Sequence, residues 1–144
     1  MAEQIFTLEE ANEILPLVRS ITRDVVDHYR AVKARVERLG ELRDRRKAGE
    51  EINADEMRAQ DARIGRRLEG LRRLVDEVEA LGVRIRDYER GIVDFPAAFV
   101  GTGSADDPHF SFYCWMLGEG EVSHWHEEAE GFQERRPITA EASA

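Results

Sequence analysis

At 144 residues, 42% hydrophobic and 35% charged, the chain has the size and apolar content of one ordinary folded domain with long solvated helices. Its formal net charge of −9 argues against generic nucleic-acid binding, and no apolar run approaches the length that crosses a bilayer. The start, Met1-Ala2-Glu3-Gln4, lacks the basic and apolar segments of a signal peptide, and a lone Cys114 rules out an internal disulfide, so a reducing, cytoplasmic address is expected.

The charge is unevenly spread. Residues 1–29 carry 2 basic and 6 acidic side chains, residues 30–73 carry 14 and 9, and residues 74–144 carry 5 and 15. A basic middle between acidic ends implies a dipolar molecule.

In chain order, Thr7-Leu8-Glu9-Glu10 is a capping-box pattern that opens a helix. Pro16 falls about two turns in, where it removes a backbone donor and clashes with the preceding turn; a kink or a short first helix is expected there. Val18, Ile21, Val25, Tyr29, Val32, Val36, Leu39 and Leu42 then recur at steps of three or four, one face of a long helix. Asn53, with Glu56 three residues on, starts a second helix, striped by Met57, Ile64, Leu68, Leu71, Val75 and Val78 and stopped at Gly82. Residues 16–47 and 54–81 are nearly equal in length and joined by a short linker, so an antiparallel hairpin is expected. Two helices leave part of this apolar surface uncovered; either the first short helix and the β module cover it, or two chains pack into a four-helix bundle, and the homodimer is the favoured expectation. His28 on the stripe reads as a packed or edge histidine. The basic tip, with Arg43, Arg58, Arg63, Arg66 and Arg67, reads as a solvated face, with contact to an anion as the alternative; it has no interleaved aromatics for base stacking.

After Gly82 the period changes to two. Val83-Arg84-Ile85-Arg86 alternates as a half-buried strand does, Ile92-Val93-Asp94-Phe95 is a second strand ended by Pro96, and Ala97 with residues 98–100 continues it as an edge. Residues 101–108 are a loop by composition, and Phe110 to Met116 is the strongest strand, rich in aromatics. Val122-Ser123-His124-Trp125-His126 follows, and the tail beyond Ile138 reads as disordered. The expected class is therefore α+β: a single domain over 1–144, with a helical hairpin at 7–82 that includes a short kinked first helix, a small antiparallel β module at 83–138, and a tail at 139–144.

The candidate chemistry lies in the β module. On a strand, His124 and His126 share a face, so both imidazoles can reach one metal ion, with Glu119 or Glu128 completing the set and His109 as a further nitrogen donor. Two histidines and a carboxylate suit Zn, Mn or Fe(II). Asp94 is out of character in Ile-Val-Asp-Phe-Pro. It is either an outward-facing group on a half-exposed strand or a buried carboxylate that pairs with Arg135 or Arg136 or meets a substrate. In the functional reading Asp94 and Glu119 are catalytic, and Trp115, Trp125, Arg135 and Arg136 bind substrate. Cys114 reads as a structural buried thiol, and no nucleophile system or phosphate-binding glycine loop emerges.

Phe6-Thr7-Leu8-Glu9-Glu10-Ala11-Asn12 with Leu15-Pro16, Gly91-Ile92-Val93-Asp94-Phe95-Pro96, Cys114-Trp115, Gly118-Glu119, His124-Trp125-His126, Gly131-Phe132 and Arg136-Pro137-Ile138 together resemble the bacterial family numbered 2203 among the domains of unknown function. The resemblance covers nearly the whole chain, although the loop at 101–108 is longer than the family pattern. Some members carry the label of DivIVA-like cell-division proteins and others are linked to hydrocarbon metabolism; no activity follows from the resemblance. It directs attention to Asp94, Glu119, His124 and His126. Two readings result: a metal or small-molecule site in the β module, or a non-enzymatic scaffold acting through the hairpin as a homodimer, with no membrane or nucleic-acid partner.

Overall fold

The computed structural model describes residues 5–97 and 111–138. The expected continuation at 98–100, the loop at 101–108, His109, Phe110 and the tail at 139–144 lie outside the described residues.

Helix α1 runs Leu8–Lys47 and helix α2 runs Ala54–Ala80. The start of α1 is the capping box read from the sequence: the Glu10 N–H donates to Thr7 Oγ1 at 3.1 Å and the Thr7 N–H donates to Glu10 Oε1 at 2.9 Å. The expected separate first helix is absent, because α1 is one 40-residue helix with Pro16 inside it. An internal proline costs about 3 kcal/mol. Leu15 and Val18 on either side of it are buried against the sheet, and burial of two such side chains at about 1.5–3 kcal/mol each is enough to offset that cost. At the start of α2, Asn53 Oδ1 accepts from the Asp55 N–H at 2.8 Å, so Asn53 caps without the expected help of Glu56. Gly82, at φ +90°, provides the left-handed position after the helix. Arg43 on α1 meets Asp61 on α2 at 3.8 Å, and the His28 ring of α1 lies against Gly70 of α2. Among the described residues, no helix is long and apolar enough to cross a membrane.

Five strands follow: β1 Arg84–Asp87, β2 Ile92–Pro96, β3 Ser111–Met116, β4 His124–Glu127 and β5 Arg136–Pro137, with a 3-10 turn at Phe132–Glu134 before the last. They form one antiparallel sheet in the order β1-β2-β3-β4-β5. The class is α+β, two helices followed by an antiparallel sheet. Because strand side chains alternate, register decides what meets what. Arg84, Asp94, Cys114, His124 and Pro137 lie in one row across the sheet, and Phe112 stands opposite His126.

One face of the sheet carries Ile85, Val93, Phe95, Tyr113, Trp115 and Trp125, which share a core with Ala11, Leu15, Val18, Ile21 and Val25 of α1. Asn12 fastens the two layers: Val122 N–H donates to its Oδ1 at 2.8 Å, and its Nδ2 donates to the Val122 carbonyl at 3.3 Å, so the amide stands in for a neighbouring strand. The opposite face carries Arg84, Arg86, Asp94, Cys114, His124 and His126, and the candidate site lies there.

Candidate functional site

The site is assembled by three strands. Asp94 in β2 is 1% exposed and His126 in β4 is 1% exposed, although β3 lies between their strands. Their side chains meet on the sheet face away from α1, His126 Nε2 to Asp94 Oδ1 at 3.0 Å. Asp94 Oδ2 is buried, has no hydrogen-bond partner, and has the Arg86 guanidinium at 3.5 Å as its nearest cation. A buried carboxylate costs several kcal/mol unless charge and hydrogen bonds compensate it; here His126 and Arg86 compensate it in part.

The other ring nitrogen of His126 fixes the proton arrangement. His126 Nδ1 lies 2.8 Å from the Glu127 carbonyl, which only accepts, so Nδ1 carries a proton. The contact between Nε2 and Asp94 Oδ1 then needs a proton between the two atoms. Burial is the largest influence on the His126 pKa and pushes it down. The Asp94 hydrogen bond, the Glu127 carbonyl and the Asp94 charge together outweigh it, so the net direction is upward despite opposition from Arg86. The Phe112 ring stacks on the imidazole at 5.7 Å between centroids.

Cys114 is the third member. Its Sγ, a carboxylate oxygen of Asp94 and a ring nitrogen of His126 all lie within 4.8 Å of one another, and all three residues are buried. Burial first, then the Asp94 charge, pushes the Cys114 thiol up to about 12, so it is not a free nucleophile at neutral pH. A cleft of about 190 Å³ opens beside this group; its lining includes Arg86, Asp87, Arg90, Asp94, His126 and Phe132.

Glu119 and Arg135 form a separate unit. Arg135 binds Glu119 through both terminal nitrogens, at 2.8 and 2.5 Å, and also reaches the Cys114 carbonyl at 3.4 Å. Glu119 accepts from the Met116 N–H at 2.8 Å, and the Trp115 indole donates to its carbonyl at 3.2 Å. The Arg135 hydrogen bond holds the Glu119 carboxyl below the usual carboxylate range, against the effect of burial and with help from Met116. Arg135 also lies 4.1 Å over the Phe132 ring, which places that ring beside the cleft.

Of the residues singled out from the sequence, Asp94 and His126 come together. His124 stands beside Cys114 in register, and its Nδ1 lies 3.0 Å from Ser123 Oγ. Glu128 is exposed in the turn after β4 and is not part of the Asp94–Cys114–His126 group. Trp115 and Trp125 point into the core shared with α1. Arg136 pairs with Glu130 at 2.7 Å and lies over the Trp125 ring at 4.7 Å. Neither Arg135 nor Arg136 is the partner of Asp94; Arg86 is. The sequence reading did not bring Cys114 or Arg86 beside Asp94. Period-two alternation placed Arg86 on a face, but only the strand register sets that face against Asp94.

The model of the family described as "Uncharacterized conserved protein (DUF2203)" matches residues 4–138. Neither the comparison with curated proteins nor that with solved structures finds a match. With all five strands, both helices and the Asp94–Cys114–His126 group inside the matched segment, the chain belongs to the DUF2203 family.

Proposed function

We propose that this protein binds a divalent metal ion through Asp94, Cys114 and His126, beside a small cleft. One observation carries the reading: a nitrogen, a sulfur and an oxygen donor converge within 4.8 Å, and the imidazole already has its outer N–H held by a backbone carbonyl. That carbonyl contact is the usual support of a metal-ligating histidine, since it fixes the tautomer and turns the Nε2 lone pair inward. A cation there would also satisfy Asp94 Oδ2 and deprotonate Cys114, whose thiol is otherwise held protonated. The mixed donor set suits Zn²⁺ or Fe(II), and three protein ligands leave a position open toward the cleft. The two cations at the cleft wall are already balanced, Arg86 by Asp94 at 3.5 Å and Arg90 by Asp87 at 3.1 Å. His124 and Glu128 serve at most as outer partners.

The test is metal analysis of untagged protein after loading with Zn²⁺ or Co²⁺. One equivalent is expected, lost in Cys114→Ser and in His126→Gln and retained in His124→Gln and Glu128→Gln. A thiolate charge-transfer band in the Co²⁺ form should vanish in Cys114→Ser. Absence of stoichiometric metal in the loaded protein, or its retention in the Cys114 and His126 variants, overturns the proposal.

A second reading rests on α2, where Val78 alone is buried and Leu68 is 47% exposed. In this reading α1 and α2 form an antiparallel hairpin, an arrangement consistent with the Arg43–Asp61 and His28–Gly70 contacts. The remaining apolar stripe of α2 is then the seam of a homodimer, and the whole chain is one folding unit.

A further inference from the structure

A second cleft, of about 320 Å³, lies between the helices and is lined by His28 and Arg35 of α1 and by Arg63, Arg66 and Arg67 of α2. Its volume is at the lower end of small-ligand sites, which begin at about 300 Å³. No carboxylate lines it. Some basic residues of the helices are paired, Lys33 with Glu89, Arg38 with Glu41, Arg43 with Asp61, Arg45 with Glu50 and Arg58 with Asp55, while, among the described residues, Arg23, Arg46, Lys47, Arg72 and Arg73 are unpaired but do not line this cleft. Among the described residues, Arg35, Arg63, Arg66 and Arg67 take part in no such pair.

The sequence spacing makes this costly. Arg63, Arg66 and Arg67 stand at i, i+3 and i+4, where like charges on a helix repel. His28 adds an independent sign of a missing partner. Its Nδ1 is buried without a hydrogen bond, and the ring occupies the space left by Gly70, where a Cβ would sit 3.0 Å from His28 Cε1. The cleft thus joins an unpartnered ring nitrogen to four guanidinium groups with no counter-charge at its wall, a setting that suits a multivalent anion.

We infer that this cleft binds a small multivalent phosphate anion, with Arg35, Arg63, Arg66 and Arg67 as its charge partners and His28 as a hydrogen-bonding contact at its base. The net charge of −9 favours a compact anion over an extended polyanion, which the acidic remainder of the chain repels. The inference is independent of the metal reading, because the two sites share no residue.

The test is calorimetric titration of the full chain with tripolyphosphate, in zwitterionic buffer at low ionic strength, alongside ATP and a short DNA duplex. One-to-one binding of tripolyphosphate is expected. ATP binding at equal affinity assigns the site to the phosphate chain itself, and tighter ATP binding assigns it to a nucleotide's phosphates. Arg66→Gln with Arg67→Gln, both exposed, should weaken binding by roughly tenfold or more, the worth of lost charge-assisted contacts. Arg72→Gln with Arg73→Gln removes the same charge from the same helix outside the cleft and should leave affinity within about threefold, the expectation for distant surface charges. The His28 Cε1–H resonance should move on titration. Absence of tripolyphosphate binding, equal losses in both double variants, an unmoved His28 signal or a clear preference for the duplex would each overturn the inference.

Discussion

Asp94 shows how one residue out of character for its segment is accommodated. Its neighbours Val93 and Phe95 face the α1 core, while its carboxylate faces the other side, where His126 and Arg86 supply compensation. Glu119 is held differently, in a two-pronged pair with Arg135 that locks the turn after β3 to the segment before β5. Its folded pKa is depressed, so the stability it contributes is fully present above the unfolded carboxyl value of about 4.3 and is lost as pH falls through the lower folded value. Glu119→Gln should therefore lower the thermal midpoint at pH 7, and the gap to the parent should narrow as pH drops below about 4.3. A midpoint difference that stays constant from pH 7 to pH 2.5 would show that the Glu119 charge is not what holds the turn.

At the scale of elements, the β1–β2 connection is closed by its own hydrogen bonds. Asp87 Oδ1 accepts from the Glu89 and Arg90 N–H groups, at 2.9 and 2.8 Å, and the Gly91 N–H closes the turn onto the Asp87 carbonyl at 2.9 Å. Gly91 has φ +73°, and a Cβ there would sit 2.8 Å from Leu117 Cβ. Gly118 has φ +106° but open space around it. Gly91→Ala should thus cost both backbone strain and a clash, on the order of 2–4 kcal/mol, whereas Gly118→Ala should cost about 1 kcal/mol. Denaturant unfolding measures both; a Gly118 variant as damaged as the Gly91 variant would remove the steric part of the argument. The cap and alternation signals of these elements were legible because each is set within four residues along the chain. The short first helix expected at Pro16 does not form, because the propensity penalty is local while the burial of Leu15 and Val18 that offsets it is tertiary.

For the whole molecule, the sheet buries one face on α1 and keeps the Asp94 group on the other, while α2 contributes little fully buried surface. An apolar stripe left half covered on a long helix is a surface that a second chain would bury. Light scattering at micromolar concentration should give about twice the 16.5 kDa chain mass, and Leu68→Glu should return it to the monomer value. A monomer mass across the accessible concentration range would exclude the dimer.

Sequence alone determined the helix starts at Thr7 and Asn53, the stop at Gly82, the α+β class, and the region of Asp94 and His126 as the place to look. These follow from short-range rules: a cap bonds three residues on, a helix repeats every 3.6, a strand alternates every two. The tertiary structure decided which groups meet. Asn12 and Val122 are 110 residues apart, and Asp94 and His126 are 32 apart. Their meeting depends on strand register, and a shift of one residue in β4 would turn His126 toward the α1 core and Trp125 toward Asp94. Nothing in the local pattern of Ile-Val-Asp-Phe or His-Trp-His specifies that register; it is fixed by packing Val93, Tyr113, Trp115 and Trp125 together against α1.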